Sequence, residues 1–269
     1  ALTGIILVLV IISAIHIHPI FFLILFCIIT GLTLWEFGGL VKHYENANLQ
    51  RTVNVLGGVY LFIATFVYAN GLTDGKIFLP SLLFIMLTMI AELYYKAPNP
   101  INWAFTLFAQ VYSAGSFSIL NFIGAEPGTP GVMSYTPLFI MAIFIFVWLD
   151  DTGAYLVGSL IGKHKLFERI SPKKSWEGFF GGLILSLASS QAFAWFAPEI
   201  NRMNWLGLAA TVVLFGTWGD LIESLLKRTL GVKDSGNVLP GHGGMLDSFD
   251  SVMLAVPASY IYIELFIRN

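Results

Sequence analysis

Long apolar runs separated by short polar breaks extend along the whole chain. The breaks carry proline, glycine and charged residues, as in 16–19 and 126–131, a composition typical of turns. A helix needs roughly 20 apolar residues to cross the hydrocarbon core of a bilayer. The pattern predicts an all-α polytopic integral membrane protein with about nine transmembrane helices. The predicted spans are 2–16, 20–41, 53–70, 77–95, 101–123, 136–162, 176–197, 205–229 and 244–267.

Composition excludes several classes of protein. Of the 269 residues, 57% are hydrophobic and 11% are charged, against about 25% charged residues in an ordinary soluble domain. The mean hydropathy is +0.78. A soluble enzyme, a disordered chain and a nucleic-acid binder with a basic face are therefore excluded. The single cysteine, Cys27, excludes an intramolecular disulfide and a cysteine-based metal site.

The basic residues favour one orientation in the bilayer. With a cytoplasmic N-terminus, eleven of the fourteen Lys and Arg residues lie on the cytoplasmic side, as the positive-inside rule requires. This predicts an N-in, C-out chain, although an arrangement without the first span leaves the later loops in place. We interpret 1–269 as a single integral membrane domain. We expect the N-terminal helices, 1–135, to pack in lipid and the C-terminal helices and loops, 136–269, to carry the function.

Acidic residues inside apolar spans are costly, and they are candidates for function by default. Asp150 and Asp151 are adjacent within the sixth predicted span, where they need a cation, hydrogen-bond donors or a polar contact with another helix. The eighth span ends in polar residues spaced i, i+3, i+4 and i+7, which share one helix face. In lipid this face favours a polar cavity over a plain ladder of salt bridges. The face consists of Asp220, Glu223, Ser224 and Lys227.

A basic loop follows this face and leads directly into the last span. Its glycines allow backbone amides to approach an anion, and its cations complement phosphates. Asp247 and Asp250 then follow at i and i+3, and carboxylates facing basic groups suit Mg²⁺ bound to phosphate. A positive-inside connector and ordinary helix N-terminal acids are the alternative readings. The loop residues of interest are Lys227, Arg228, Lys233, His242, Gly243 and Gly244.

A second basic loop, 163–175, lies on the same predicted side of the membrane. Lys173, Lys174 and Ser175 stand immediately before a span, where a phosphate could be met, although topology alone would also explain the cations. Two GxxxG spacings flank this loop and predict close helix packing or a homodimer. They are formed by Gly158 with Gly162 and by Gly178 with Gly182.

The C-terminal segment resembles the signature of CDP-diacylglycerol synthases, also called phosphatidate cytidylyltransferases. The segments 151–155 and 173–178 are also similar to that family, as is the multi-span layout. The match in the last two spans covers many positions and is far more specific than a glycine-rich loop alone. It reads Ser224-x-Leu226-Lys227-Arg228-x4-Lys233-Asp234-x-Gly236-x2-Leu239-Pro240-x-His242-Gly243-Gly244-Met245-x-Asp247-x-Phe249-Asp250.

The resemblance implies transfer of the cytidylyl group of CTP to phosphatidic acid, giving CDP-diacylglycerol and pyrophosphate with Mg²⁺. It also implies a bacterial inner membrane and an active site facing the cytoplasm. A second cation is left open. The implied catalytic residues are Asp220, Lys227, Asp247 and Asp250, and the implied metal ligands are Asp220, Asp247, Asp250 and Asp151. The implied substrate-binding residues are Lys173, Ser175, Ser224, Arg228, Lys233, His242, Gly243 and Gly244.

One position departs from the family pattern. The family has Arg between the two aspartates of its final motif, whereas this chain has Ser248. If that Arg contacts a phosphate or braces an aspartate, this chain lacks one donor.

Two other functions fit part of the pattern. A cytidylyltransferase acting on another lipid phosphate would use the same motifs. An ion-coupled transporter would use Asp151, Asp220 and Glu223 as a cation site, but it would leave the basic loop without a role.

Overall fold

The computed structural model describes residues 2–45, 47–95, 98–126, 134–239 and 243–268. Contacts between residues divide the chain into two units. The first unit comprises Ala1–Pro137 and Thr229–Phe249, and the second comprises Leu138–Arg228 and Asp250–Asn269.

The first unit is a bundle of apolar helices. Its helices are α1 (Leu2–Ile17), α2 (Pro19–Leu40), α3 (Arg51–Ala69), α4 (Leu79–Glu92), α5 (Ile101–Ala109) and α6 (Ser116–Gly124). Short 3₁₀ turns occupy Val41–His43 and Gly75–Phe78, and a π-helical segment, Gln110–Gly115, joins α5 to α6. The first turn of the last helix, α10 (Met245–Phe266), also belongs to this unit.

Aromatic side chains fill the core of the first unit. The rings of Phe26 on α2 and Phe62 on α3 stack at 6.3 Å, and Phe117 on α6 meets Phe26 edge-on at 6.0 Å. Phe117 also contacts Phe249 from the start of α10 at 5.6 Å. All four side chains are at most 2% exposed, so their burial contributes both area and ring–ring geometry to stability.

Amide side chains link the helices of the first unit. Gln110, where the π-helical segment begins, donates through Nε2 to the backbone oxygen of Asn54 at 2.7 Å and to its Oδ1 at 2.6 Å. Asn121 donates through Nδ2 to Thr65 Oγ1 at 2.8 Å. Polar side chains in apolar helices require such partners, and these bonds tie α3 to the α5–α6 region.

The second unit contains the remaining helices and a small sheet. Its elements are α7 (Leu138–Ile161), β1 (Lys165–Phe167), β2 (Ser171–Ser175), α8 (Trp176–Phe196), α9 (Arg202–Thr229) and the main part of α10. The two strands form an antiparallel hairpin in which Lys165 pairs with Ser175. The structure thus has a hairpin in the segment for which the sequence predicts a basic loop.

Glycines allow α7 and α8 to pack with their backbones in close approach. A Cβ at Gly153 would lie 2.8 Å from the backbone oxygen of Gly181, and a Cβ at Gly178 would lie 2.9 Å from that of Ala154. A Cβ at Gly158 would lie 3.5 Å from Gly178 Cα. Both GxxxG spacings therefore serve packing within this chain, as small residues commonly do between membrane helices.

Seven described helices are long and apolar enough to cross a membrane. They start at Pro19, Arg51, Gly75, Leu138, Trp176, Arg202 and Met245. The all-α membrane fold is thus confirmed, whereas the number of about nine spans is not. The apolar helix Thr3–Ile17 is shorter than the others, and 101–124 is divided by its π-helical segment.

We expect Gly153→Ala to destabilise the protein by about 1–3 kcal/mol, because its methyl group would meet the α8 backbone. Gly75→Ala is the matched control, since a Cβ at Gly75 would have no neighbour within 4 Å. Thermal unfolding in detergent, followed by tryptophan fluorescence, measures both variants. Equal midpoints for the two variants would contradict the proposed close approach.

Candidate functional site

A cavity of about 200 Å³ in the second unit is lined by residues of four helices and the hairpin, with acids from α7 and α9 and lysines from the hairpin. Its polar lining includes Asp150, Asp151, Lys173, Lys174, Ser175, Thr217, Asp220 and Ser251. Apolar helix faces surround these groups, so each charge lies where its electrostatic interactions are stronger than in water.

The two lysines of the hairpin strand β2 differ in exposure. Along β2, Lys173 is exposed, Lys174 is half-buried and Ser175 is buried. Lys174 forms an ion pair with Asp220 through Nζ and Oδ2. Both lysines line the cavity, and Lys174 is the one that pairs with an acid there.

Local hydrogen bonds hold the hairpin against the start of α8. Ser175 is the N-cap of α8, and its Oγ accepts from the Gly178 N–H at 3.1 Å. Glu177 accepts the backbone N–H groups of Lys163 and His164, each at 3.2 Å, and its Oε1 lies 2.6 Å from His164 Nδ1. The predicted phosphate contact Ser175 thus lines the cavity and also caps a helix, which satisfies one of its orphan amides.

The polar face predicted on α9 is present. Ser224 donates through Oγ to Asp220 Oδ1 at 3.1 Å. Lys227 Nζ lies 2.5 Å from Glu223 Oε2, and Glu223 is fully buried. The i, i+4 spacing thus produces one hydrogen bond and one ion pair in series along the helix.

Asp150 and Asp151 on α7 have different surroundings. Asp150 is 8% exposed and lies against Gly182, and its buried Oδ1 has no hydrogen-bond partner in the described part of the chain. Asp151 is exposed and interacts electrostatically with Asp220 and Lys174. One aspartate is thus buried beside the cavity, and the other is accessible within it.

Asp250 joins the same electrostatic group from α10. It interacts with Asp151, Asp220, Glu223 and Lys174. A Cβ at Gly219 on α9 would lie 2.5 Å from the Asp250 backbone oxygen, so glycine at that position allows α9 to approach α10. Three predicted metal ligands, Asp151, Asp220 and Asp250, therefore belong to one group of charges.

The donor chemistry of this group suits Mg²⁺. Its acidic atoms are carboxylate oxygens, and the buried Oδ1 of the neighbouring Asp150 has no donor among the described residues. Among the described residues, no three His, Cys, Asp or Glu side chains are grouped to hold a metal ion. Mg²⁺ commonly binds one or two carboxylates together with substrate phosphates and water, so a complete protein cage is not required.

Asp247, the fourth predicted ligand, lies in the first unit. Its Oδ2 accepts the N–H groups of Ser235 at 2.9 Å and Gly244 at 2.8 Å. Ser248, where the resembled family has Arg, donates through Oγ to the Gly244 backbone oxygen at 3.1 Å. Asp247 thus organises the loop before α10, and Ser248 bonds back to the residue that precedes its helix.

The other predicted substrate contacts have varied environments. Arg228 and Lys233 are exposed, Gly243 has a positive φ of 87°, and His242 lies outside the described residues. The site residues predicted from the sequence include neither Lys174 nor Glu36. Lys174 was already a candidate phosphate contact beside Lys173, and the signal for Glu36 was a glutamate within an apolar span.

Comparisons with known proteins agree with this chemistry. The model of the cytidylyltransferase family matches residues 1–266. Proteins named phosphatidate cytidylyltransferase from Staphylococcus aureus (strain COL), Staphylococcus haemolyticus (strain JCSC1435) and Staphylococcus epidermidis (strain ATCC 12228 / FDA PCI 1200) are 53%, 54% and 52% identical over 121 residues. These matches cover 44% of this chain and 46% of each relative, so the aligned segment spans about half their length. Because the family match extends over nearly the whole chain, this protein belongs to the cytidylyltransferase family.

Proposed function

We propose that the protein transfers the cytidylyl group of CTP to phosphatidic acid and releases pyrophosphate. The observation that carries the proposal is the membrane-helix cavity in which Lys174 pairs with Asp220 beside Asp151. A reaction between two phosphate-bearing substrates needs cations and metal-binding acids in one place, and this cavity contains both. The family match and the names of the staphylococcal relatives support the same activity.

The reaction requires that two anions approach each other. An oxygen of the lipid phosphate attacks the α-phosphorus of CTP, and the bond to the bridging oxygen of pyrophosphate breaks. The lipid phosphate is already a nucleophile at neutral pH, so the chain need not supply a strong base. Electrostatic stabilisation of the phosphoryl oxygens is therefore the main catalytic requirement.

The residues of the second unit meet this requirement with both signs of charge. Lys174 neutralises phosphate oxygens when they replace its contact with Asp220. Asp151, Asp220 and Asp250 would hold Mg²⁺ in the second unit, and Asp247 would be a metal ligand in the first. Mg²⁺ held there would supply positive charge to neutralise the charge that develops on the phosphoryl oxygens.

The remaining predicted cations act at the water-facing side. Lys227, Arg228 and Lys233 bind the phosphates of CTP or of the lipid, and Ser224 keeps Asp220 oriented. The site faces the cytoplasm of a bacterial inner membrane, in an N-in, C-out chain. CTP enters from water and phosphatidic acid enters from the bilayer. The proposal also includes assembly of the protein as a homodimer and binding of a second cation besides Mg²⁺.

No observation favours an ion-coupled transporter. Two of the three acids that such a site would use, Asp220 and Glu223, have lysine partners in the structure.

The purified protein is expected to convert radiolabelled CTP and phosphatidic acid into a lipid-extractable product that depends on Mg²⁺. The assay is run in parallel on Ser248→Arg. Product from the variant alone would mean that the missing arginine disables this chain. The absence of product from both proteins would contradict the proposed function.

Asp220→Asn and Asp247→Asn should each remove most of the activity, because each loses a negative charge proposed to hold the metal. Thermal unfolding of both variants controls for folding, since Asp247 also organises a loop. Rates near that of the unaltered protein in both folded variants would refute the metal assignment.

Lys174→Ala should lower kcat by about 10²-fold or more, because it removes a cation placed at the reacting phosphates. Lys165→Ala is the matched control, because Lys165 is an exposed lysine of the same hairpin that does not line the cavity. Steady-state kinetics with both substrates measure the effect. Equal kcat values for the two variants would remove Lys174 from the site.

A further inference from the structure

Glu36 is a buried acid in the first unit, far along the chain from the motifs that carry the chemistry. It lies near the end of α2 and is 6% exposed. Within the described ranges, no Lys, Arg or His forms an ion pair with it. A buried carboxylate without a cation requires hydrogen-bond donors, so its donors indicate its role.

Both donors to Glu36 come from the segment around the start of α10. Its Oε2 accepts the Leu246 N–H at 2.8 Å and the Ser235 hydroxyl at 3.4 Å. Leu246 is the second residue of α10, where backbone N–H groups have no partner within the helix. A carboxylate at this position satisfies one orphan donor and interacts favourably with the helix dipole.

Two glycines of the motif lie so close to the Glu36 carboxylate that a side chain at either position would meet it. A Cβ at Gly236 would lie 2.6 Å from Glu36 Oε1, and a Cβ at Gly244 would lie 2.6 Å from its Oε2. Neither glycine has a positive φ, so close approach, not backbone conformation, explains the absence of a side chain. The loop therefore fits around the Glu36 carboxylate.

Asp247 binds the same loop at the same residue, Ser235. It accepts the Ser235 N–H while Glu36 accepts the Ser235 hydroxyl. Two carboxylates thus fasten one residue, which is two positions from Lys233. The segment that carries a proposed phosphate-binding lysine is thereby joined to the helix turn that carries a proposed metal ligand.

We propose that Glu36 is a positioning residue for nucleotide binding. It holds the loop 233–239 and the first turn of α10 so that Lys233 and Asp247 meet the triphosphate of CTP together. This loop lies between two candidate membrane spans, where a water-soluble nucleotide would reach it without entering the bilayer. The proposal rests on the cytidylyl transfer proposed above.

The test compares Glu36→Ala and Glu36→Gln with the same changes at Glu92. Glu92 is the matched control, because it is also a buried glutamate of the first unit and is 4% exposed. Its Oε1 accepts hydrogen bonds from the Asn99 N–H at 2.8 Å and from Asn102 Nδ2 at 2.9 Å. Its partners lie outside the motif segment. Comparing variants at Glu36 and Glu92 therefore separates the effect of losing any buried carboxylate from the effect of losing the contact with the loop.

Glu36→Ala should raise KM for CTP by about tenfold, because hydrogen bonds to a charged group are lost. The KM for phosphatidic acid should stay within twofold. Glu36→Gln keeps an acceptor oxygen and should restore KM for CTP at least partly, and it also carries the test if Glu36→Ala does not fold. The Glu92 variants should leave both KM values within twofold. Equal KM changes at Glu36 and Glu92, or no change at Glu36, would overturn the proposal.

Hydrogen exchange of the 244–250 peptide provides a readout independent of catalysis. Glu36→Ala should accelerate exchange in this peptide, because Leu246 N–H loses its acceptor, whereas Glu92→Ala should not. Unchanged exchange in Glu36→Ala would contradict the proposal that Glu36 holds the first turn of α10. Accelerated exchange in a protein that never forms a cytidylyl lipid would support the fastening and locate the error in the proposed reaction.

Discussion

A charge within an apolar helix must have a partner, and the arrangement of the second unit follows from that constraint. Asp220 pairs with Lys174 and accepts a hydrogen bond from Ser224, and Glu223 forms an ion pair with Lys227. Breaking such a pair leaves an uncompensated buried charge, which is strongly destabilising. In the proposed reaction, phosphates would replace the carboxylates as partners of these cations, so the stability of the fold and the proposed chemistry would depend on the same contacts.

Close approach of backbones makes those pairs geometrically accessible. Gly153 and Gly178 bring α7 against α8, and Gly219 brings α9 against α10. Helices separated by full side chains would hold short acids such as Asp151 farther from their partners. Small residues in these helices therefore determine how near the acids lie to one another, besides contributing dispersion contacts.

Sequence periodicity predicted the local features of the site but not its long-range contacts. The face containing Asp220 and Ser224 follows directly from helical spacing, and the structure has the hydrogen bond between them. The hairpin has strands of three and five residues, with Pro172 in the second, so it lacked the alternation by which strands are recognised. The contact of Glu36 with Leu246 joins residues separated by 210 positions, and no pattern within a single sequence encodes such a pairing.

That separation also orders events during synthesis of the protein. At typical rates of translation, a ribosome needs ~10–40 s to travel from Glu36 to Leu246. Throughout this interval the glutamate lacks its final partners, and a carboxylate held without donors in lipid is costly. The contacts of Glu36 with Ser235 and Leu246 therefore form late, only after α9 and the start of α10 have been made.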